Sequence, residues 1–558
     1  MKKVFLLLIL NIILLSCARV GSPVGGAKDT VAPKFVGSNI DTARINVPVD
    51  TKELKLYFDE YIQLKDIQKN LNISPPIRYK KILPTTMGNK YILIQWDENL
   101  QENTTYNFNF GNAISDLNEG NVLPYYNFAF STGEKLDDLY ISGDVIDGMA
   151  KPASNTATPS TENKKNYVVG LYQEKDTINY SQKPYYITKA DPDGYFELNY
   201  LSPGEYRILA FEDENQNSVY EAGKENVAFA KDKIDLKSSM SGMKLVIYPS
   251  KKALKYKEMK EATGGAVMIF EGHPAKVDVT ALSEKLKDYK VTHKPYSDSV
   301  NIWFDAVKQD IGIRQSENLK FKYSADGKEG EASIFYRLNP KNEMIGSSVE
   351  SKIAPTKNFE ILWNYPVQNI QTEKWTLKID SVNTVPFTAK IATENPNKVQ
   401  VSGDFQIGKK YSLTVPKETV QSYYTSNPKS YQFNFEIDRA ENYGSFNLTI
   451  ENKPDAKFWI QFLNEKGDVQ FSKFSDEASH NFNEIKPGKY LLRILVDNNG
   501  NGQWDGADFT NKTFAEDVYI FPKEIEIREL WQNKEVWNLK SNSTETPVLN
   551  APTNVNYK

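Results

Sequence analysis

Tyr106-Asn107-Phe108-Asn109-Phe110 and, further along, Tyr126-Asn127-Phe128-Ala129-Phe130 each place an aromatic side chain at every second position. An extended chain turns successive side chains to opposite faces, so both runs put one face on a core and leave the other wet. Outward from them, Leu54-Lys55-Leu56-Tyr57-Phe58, Tyr91-Ile92-Leu93-Ile94-Gln95-Trp96, Lys410-Tyr411-Ser412-Leu413-Thr414-Val415 and Tyr431-Gln432-Phe433-Asn434-Phe435 repeat the pattern. The chain supplies 32 Tyr and 28 Phe for such strands, and 30 Gly and 27 Pro for the turns between them. Many short strands with regular turn signals predict an all-β protein built of β-sandwiches. Helices are expected only over residues 59–71 and 279–289.

At 558 residues the chain is too long for one core. An internal repeat organises it. Pro203-Gly204-Glu205-Tyr206, followed by Asp213, Asn215, Asn217 and Tyr220, returns at one constant offset as Pro487-Gly488-Lys489-Tyr490, followed by Asp497, Asn499, Asn501 and Trp504. In each copy Pro presets a turn dihedral, Gly supplies the positive one, and an alternating strand follows. Asp193-Gly194-Tyr195-Phe196-Glu197-Leu198 is the hairpin arm ahead of the first copy. Gly-x-Phe followed by Leu-x-Pro-Gly-x-Tyr resembles the transthyretin-like or carboxypeptidase-regulatory-like sandwich. That resemblance implies small non-catalytic β-domains at 136–252 and 441–541. Over 35–135, Leu56-Tyr57-Phe58-Asp59-Glu60, Asn103-Thr104-Thr105-Tyr106 and Phe128-Ala129-Phe130-Ser131-Thr132-Gly133 come in the order of the bacterial Ig-like module of surface-layer and cell-envelope proteins, which this segment resembles. The resemblance implies a strand end at Asp59-Glu60. Fainter strands of the same kind at 253–345 and 346–440 read as two divergent Ig-like domains.

The N-terminus reads as an export signal. Met1-Lys2-Lys3 precedes an apolar run from Val4 to Leu15, broken only by Asn11, and Ser16-Cys17 closes it. The run is shorter than the roughly 20 residues that cross a bilayer as a helix. Leu14-Leu15-Ser16-Cys17 resembles the bacterial lipobox, which implies a signal peptide over 1–16 and a lipid on Cys17. With the only cysteine acylated, the mature chain has no disulfide and no thiol nucleophile. Residues 17–34 predict a flexible tether, similar to the one ahead of Ig-like modules in Bacteroidetes-type lipoproteins. Residues 150–165 predict a mobile loop and 542–558 a disordered tail.

Chemistry is sparse in the sequence. Lys and Arg number 68 against 72 Asp and Glu, a net charge of -4, without the basic stripe that nucleic acid requires. His273, His293 and His480 are far apart, and the doublets Asp59-Glu60 and Asp97-Glu98 point their members to opposite faces of a strand. No enzyme is expected. Trp96, Trp303, Trp363, Trp375, Trp504, Trp531 and Trp537 are dispersed and read as core residues rather than a sugar-stacking platform. One loop carries a ligand pattern: Asp497, Asn499, Asn501, Asp505 and Asp508 stand at positions 1, 3, 5, 9 and 12 of a calcium loop, with Gly502 at position 6 and Gln503 at the main-chain position 7. Those residues are the candidate calcium ligands; the competing reading is a plain hairpin turn, in which Asn and Gly need no ion. In the first copy Lys224 takes position 12 and argues against calcium.

These features together lead to the expectation of a non-enzymatic outer-membrane lipoprotein, a structural or docking subunit of an outer-membrane β-barrel assembly or transport complex. Its partners would be barrel proteins and other lipoproteins, with no nucleic acid. The alternative is a glycan-binding lipoprotein. Ala18 after Cys17 lacks the Asp of an inner-membrane retention signal, and the cell surface is expected rather than the periplasmic face.

Overall fold

The computed structural model describes residues 29–150, 165–175, 178–339, 342–380 and 382–541. Cys17 and the export signal, the loop 151–164 and the tail 542–558 lie outside the described residues. Among those described, strands dominate and the α-helix is a single turn, Ile67–Asn70. No helix there is long and apolar enough to cross a membrane.

Residues 35–131 form two facing sheets. One runs in the order Phe35–Ser38, Glu53–Leu64, Asn89–Trp96, Tyr79–Leu83, and the other is Asn72–Ser74, Thr105–Asn109, Asn127–Ser131. The alternating aromatics meet as their period requires: Tyr106 pairs with Phe130 and Phe108 with Phe128 across the ladder, and Phe108, Phe110, Phe128 and Phe130 are fully buried. The other face is not wet as expected, because the second sandwich packs there and Asn107 and Ala129 are buried too.

Of the helix expected over 59–71 only the turn Ile67–Asn70 forms, and the one expected over 279–289 does not form. Residues 59–64 continue the strand Glu53–Leu64, with Phe58 and Ile62 both buried, and after an irregularity the strand pairs with Ile114–Asp116. Asp59-Glu60 therefore sits within a strand, not at its end. Over 279–289, Val277–Ala281 pairs with Glu317–Ala325, and Leu286 reaches the core from a turn. In each case apolar residues at helical spacing are claimed singly by different elements, and distant strand partners override the local period.

The sequence repeat is a repeat of strand order. Leu139–Asp147 is flanked by Tyr195–Leu201 and, in parallel, by Met240–Ile247; the facing sheet is Tyr186–Lys189, Tyr167–Gln173, Gly204–Glu212, Val227–Phe229, with Ile234–Leu236 on the far end of Gly204–Glu212. Near the C-terminus, Gly444–Glu451 is likewise flanked by Ser479–Ile485 and, in parallel, by Gln532–Asn538. Its facing sheet is Val469–Ser475, Lys457–Leu463, Gly488–Asp497, Val518–Ile520, with Ile525–Ile527. Two more sheet pairs lie between, over 255–336 and 346–437.

Neighbouring sandwiches share contacts. Trp303 leaves its own sandwich to join the next core, its ring 5.8 Å from that of Tyr365. Thr356 donates from N and Oγ1 to the Glu484 carboxylate at 3.0 and 2.6 Å, and Lys486 pairs with Glu350 at 2.8 Å.

Candidate functional site

Both copies of the Asp-x-Asn-x-Asn segment leave the long central strand of their sheet and curl in the same way. Asn217 N–H donates to Asp213 Oδ1 and to Asn215 Oδ1, both at 3.0 Å, Ser218 N–H to Asp213 Oδ2 at 3.0 Å, and Val219 N–H to Asn217 Oδ1 at 2.6 Å. In the second copy Asn501 N–H donates to Asp497 Oδ1 and Asn499 Oδ1, Gly502 N–H to Asp497 Oδ2, and Gln503 N–H to Asn501 Oδ1. Gln216 and Ser218 accept left-handed φ of 61° and 60° in this curl, where the second copy uses Gly500 and Gly502.

The loops differ in their closing acid, which the spacing argument missed. Just ahead of the strands Val227–Phe229 and Val518–Ile520 stand Glu225 and Glu516. Glu516 accepts Asn499 N–H at 3.0 Å and Asp505 N–H at 2.8 Å, one on each oxygen. Glu225 accepts Glu221 N–H at 2.9 Å on Oε2, while its Oε1 is buried without a partner. Burial first, and then the charges of Asp213 and Glu221, push the Glu225 carboxyl up to about 7 against the pull of the Glu221 and Glu214 N–H groups.

Of the expected calcium ligands, the structure brings Asp497, Asn499, Asn501 and Asp505 together. Asp505 Oδ2 receives the side-chain amides of Asn499 and Asn501 at 2.7 Å each, and its Oδ1 pairs with Lys251 at 3.0 Å. Asp508 does not close the loop: its carboxylate turns to the Asn511 N–H and side-chain amide at 3.0 and 2.8 Å. Gln503 directs its side chain to the Tyr296 carbonyl, 3.4 Å away. Each carboxylate oxygen of Asp497, Asp505, Asp508 and Glu516 thus already has a donor in the chain. Among the described residues no group of three or more His, Cys, Asp or Glu side chains is arranged to hold a metal.

The reason Asp508 departs is an insertion. The second loop is longer than the first, and the extra residues form an arm that docks on the sandwich of residues 139–247. Ala507 exchanges backbone hydrogen bonds with Pro249 and Lys251 at 2.9 and 2.8 Å. Phe509 stands edge-on to Tyr180, Tyr220 and Phe229, and together with Phe514 and the buried Ala507 it covers an apolar sheet face that includes Val168, Leu209 and Phe211.

Between the first two sandwiches opens a cleft of about 700 Å³. Asn70, Asn112, Asn127 and Asn199 line it, Gln216 reaches it from the Asp213 loop, and Tyr125 and Tyr195 stand 61% and 44% exposed at its wall. Asn127 Oδ1 is buried there without a partner. Asp66, Lys69, Lys165, Lys189, Asp191 and Glu197 share the wall with these amides and rings, and Glu197 accepts the Tyr195 hydroxyl and the Asn199 amide, so the cleft is polar and carries charges of both signs.

The other sequence candidates are structural. His480 is buried with Nε2 2.8 Å from the Glu477 carbonyl, and burial lowers its pKa; His293 contacts the Ser297 carbonyl at 3.1 Å. Asp97 pairs with Lys80, Glu98 accepts Arg78 N–H, and Asp59 accepts Lys34 N–H. Trp96, Trp303, Trp363, Trp375 and Trp537 are buried, Trp504 donates to the Glu516 carbonyl at 3.0 Å, and Trp531 is half-exposed under Arg528.

Residues 29–132 match the bacterial Ig-like domain family. No curated protein matches the chain. Among solved structures, domains 1–6 of the surface layer protein SbsC are 10% identical, covering 90% of this chain and 68% of that one, with a TM-score of 0.16. The SGBP-B of a Bacteroides ovatus mixed-linkage glucan utilization locus, solved with a heptasaccharide, is 9% identical over 70% of this chain and 94% of its own, with a TM-score of 0.18. The BSP domain of a biofilm associated protein is 9% identical over 86% and 96%, with a TM-score of 0.15.

Proposed function

We propose that this chain is a non-enzymatic structural or docking subunit, held at the outer membrane by a lipid on Cys17, facing the cell surface, and serving a β-barrel assembly or transport complex with other lipoproteins. The observation that carries this reading is the clamp between the two repeated sandwiches. Phe509 and Phe514 close the C-terminal sandwich onto the one at 139–247, so the intervening sandwiches are tied at both ends into one body. A stiff body behind a tether suits a spacer or docking platform. The bacterial Ig-like match over 29–132, directly behind the lipobox, agrees with it. Affinity purification of the tagged chain in mild detergent tests the proposal: a β-barrel protein should co-elute in fixed proportion, and elution of the chain alone would count against a docking role.

A second reading, a glycan-binding lipoprotein, is favoured by the exposed rings of Tyr125 and Tyr195 at the wall of the polar cleft. Its test is affinity electrophoresis in polysaccharide gels. Retardation that disappears on replacing Tyr125 and Tyr195 by Ala supports it, and unaltered mobility of the parent chain across neutral polysaccharides removes it.

A further inference from the structure

We propose that the loop from Asp213 to Glu225 binds calcium, with Asp213, Asn215, Asn217 and Glu225 as side-chain ligands. Counted by spacing alone, this loop fails at Lys224. The structure sets Lys224 aside: its ammonium lies 3.5 Å from Glu221, and its side chain is 74% exposed. The next residue, Glu225, turns inward instead.

Two buried carboxylates then share one small loop, Asp213 at 1% and Glu225 at 2% exposure. Buried charges of one sign are costly unless a cation or a full set of hydrogen bonds meets them. Glu225 has neither: Oε2 accepts the Glu221 N–H, Oε1 is buried without a hydrogen bond, and the Glu214 N–H nearby adds only a weaker pull. The second copy is an internal comparison. There Glu516 has a donor on both oxygens, and Lys251 supplies the positive charge at Asp505. The same curl thus meets a lysine from the neighbouring sandwich in one copy and leaves a carboxylate oxygen open in the other.

The remaining donors suit a hard cation that takes several oxygens in flexible geometry, which is calcium rather than magnesium. Asn215 and Asn217 have their amide oxygens turned into the curl, where each accepts a backbone N–H. Val219 stands at the position whose main-chain carbonyl serves as a ligand in loops of this spacing. Because Gln216 lies between two ligands and lines the cleft, the ion would also fix that wall.

The test is calorimetric titration of calcium chloride into the full chain in detergent, with Glu225→Gln and Asn215→Asp as variants. The parent chain should bind calcium in preference to magnesium. Glu225→Gln, which keeps the shape but removes the charge, should bind one ion fewer per chain or bind at least about tenfold more weakly. Asn215→Asp adds a carboxylate and should tighten binding by about tenfold, a gain that misfolding cannot mimic. No calcium binding by the parent chain overturns the proposal, as does a Glu225→Gln isotherm that superimposes on the parent's. Should Glu225→Gln fail to fold, an unchanged affinity in Asn215→Asp overturns it equally.

Discussion

Phe514 stacks on Phe229 with ring centroids 5.0 Å apart and planes 16° from parallel, joining the C-terminal sandwich to one formed far earlier in the chain. Phe509 lies beside them at 70° to Phe229, 5.2 Å away. Two aromatic rings on one loop thus cover an apolar sheet face that would otherwise meet water.

Replacing Phe509 and Phe514 together by Ala should open this clamp. Truncating a core Phe typically costs 3–5 kcal/mol, and at this interface the cost should appear as separation of the two sandwiches rather than as loss of either fold. Thermal unfolding should split into distinct transitions and the radius from solution scattering should grow. A single transition at the parental temperature with an unchanged radius would show that other contacts carry the closure.

Asp116 holds the turn of the Ig-like sandwich. It is 1% exposed and accepts N–H groups from Glu119, Gly120 and Asn121 at 2.6, 2.9 and 2.7 Å. Burial acts to raise its pKa, but these backbone N–H groups outweigh it and hold the carboxyl below the usual range. A depressed carboxyl gives stability that is present above its unfolded pKa and lost as the pH falls through the folded one. Asp116→Ala should therefore cost about 1–3 kcal/mol at neutral pH, and urea melts of parent and variant should converge under strong acid. A constant gap at every pH would reject the ionised carboxylate as the source.

Glu225 should act with the opposite sign when calcium is removed. Its folded pKa, about 7, is above the ordinary 4.5, so its contribution is fully present below about pH 4.5 and is lost as the pH rises through 7. In chelator, the parent chain should lose about 1–3 kcal/mol relative to Glu225→Gln between acid and mildly alkaline pH. Added calcium should reverse the order at high pH. Parallel stability curves for the two proteins, in chelator and in calcium alike, are the contrary result.

At the Asp497 loop, calcium must compete with Lys251 for Asp505 Oδ1. Lys251→Met frees that oxygen and should increase the rise in melting temperature on adding calcium; an ion at one hundred times its Kd adds about 2.7 kcal/mol to the folded state. A calcium response identical in parent and Lys251→Met would mean that this loop holds no ion.

Membrane attachment is tested at Cys17. Cys17→Ala should leave the chain soluble, since acyl burial at about 0.8 kcal/mol per methylene is the attachment that the lipobox implies. Continued sedimentation of the variant with outer membranes after a salt wash would transfer the anchoring role to a protein partner.

By itself the sequence determined the class of fold and the kinship of two of its sandwiches. The alternation at Tyr106 to Phe110 is a local property, set by the two-residue period of an extended chain, and Phe108 and Phe110 are buried as it requires. The repeat at Pro203 and Pro487 is visible because both copies need the same turn into the same strand, Gly204–Glu212 and Gly488–Asp497. What tertiary structure alone decided depends on partners distant in the chain. Residues 59–64 are strand because Ile114–Asp116 and Asn89–Trp96 pair there, and no local period carries that information. The acid that closes each loop is fixed by where the next strand begins, so Glu225 and Glu516 displaced Lys224 and Asp508 from the positions that counting assigned. The arm bearing Phe509 and Phe514 read as the end of a ligand loop, because the sheet face it covers belongs to residues such as Phe211 and Phe229, brought beside it only when the chain closes.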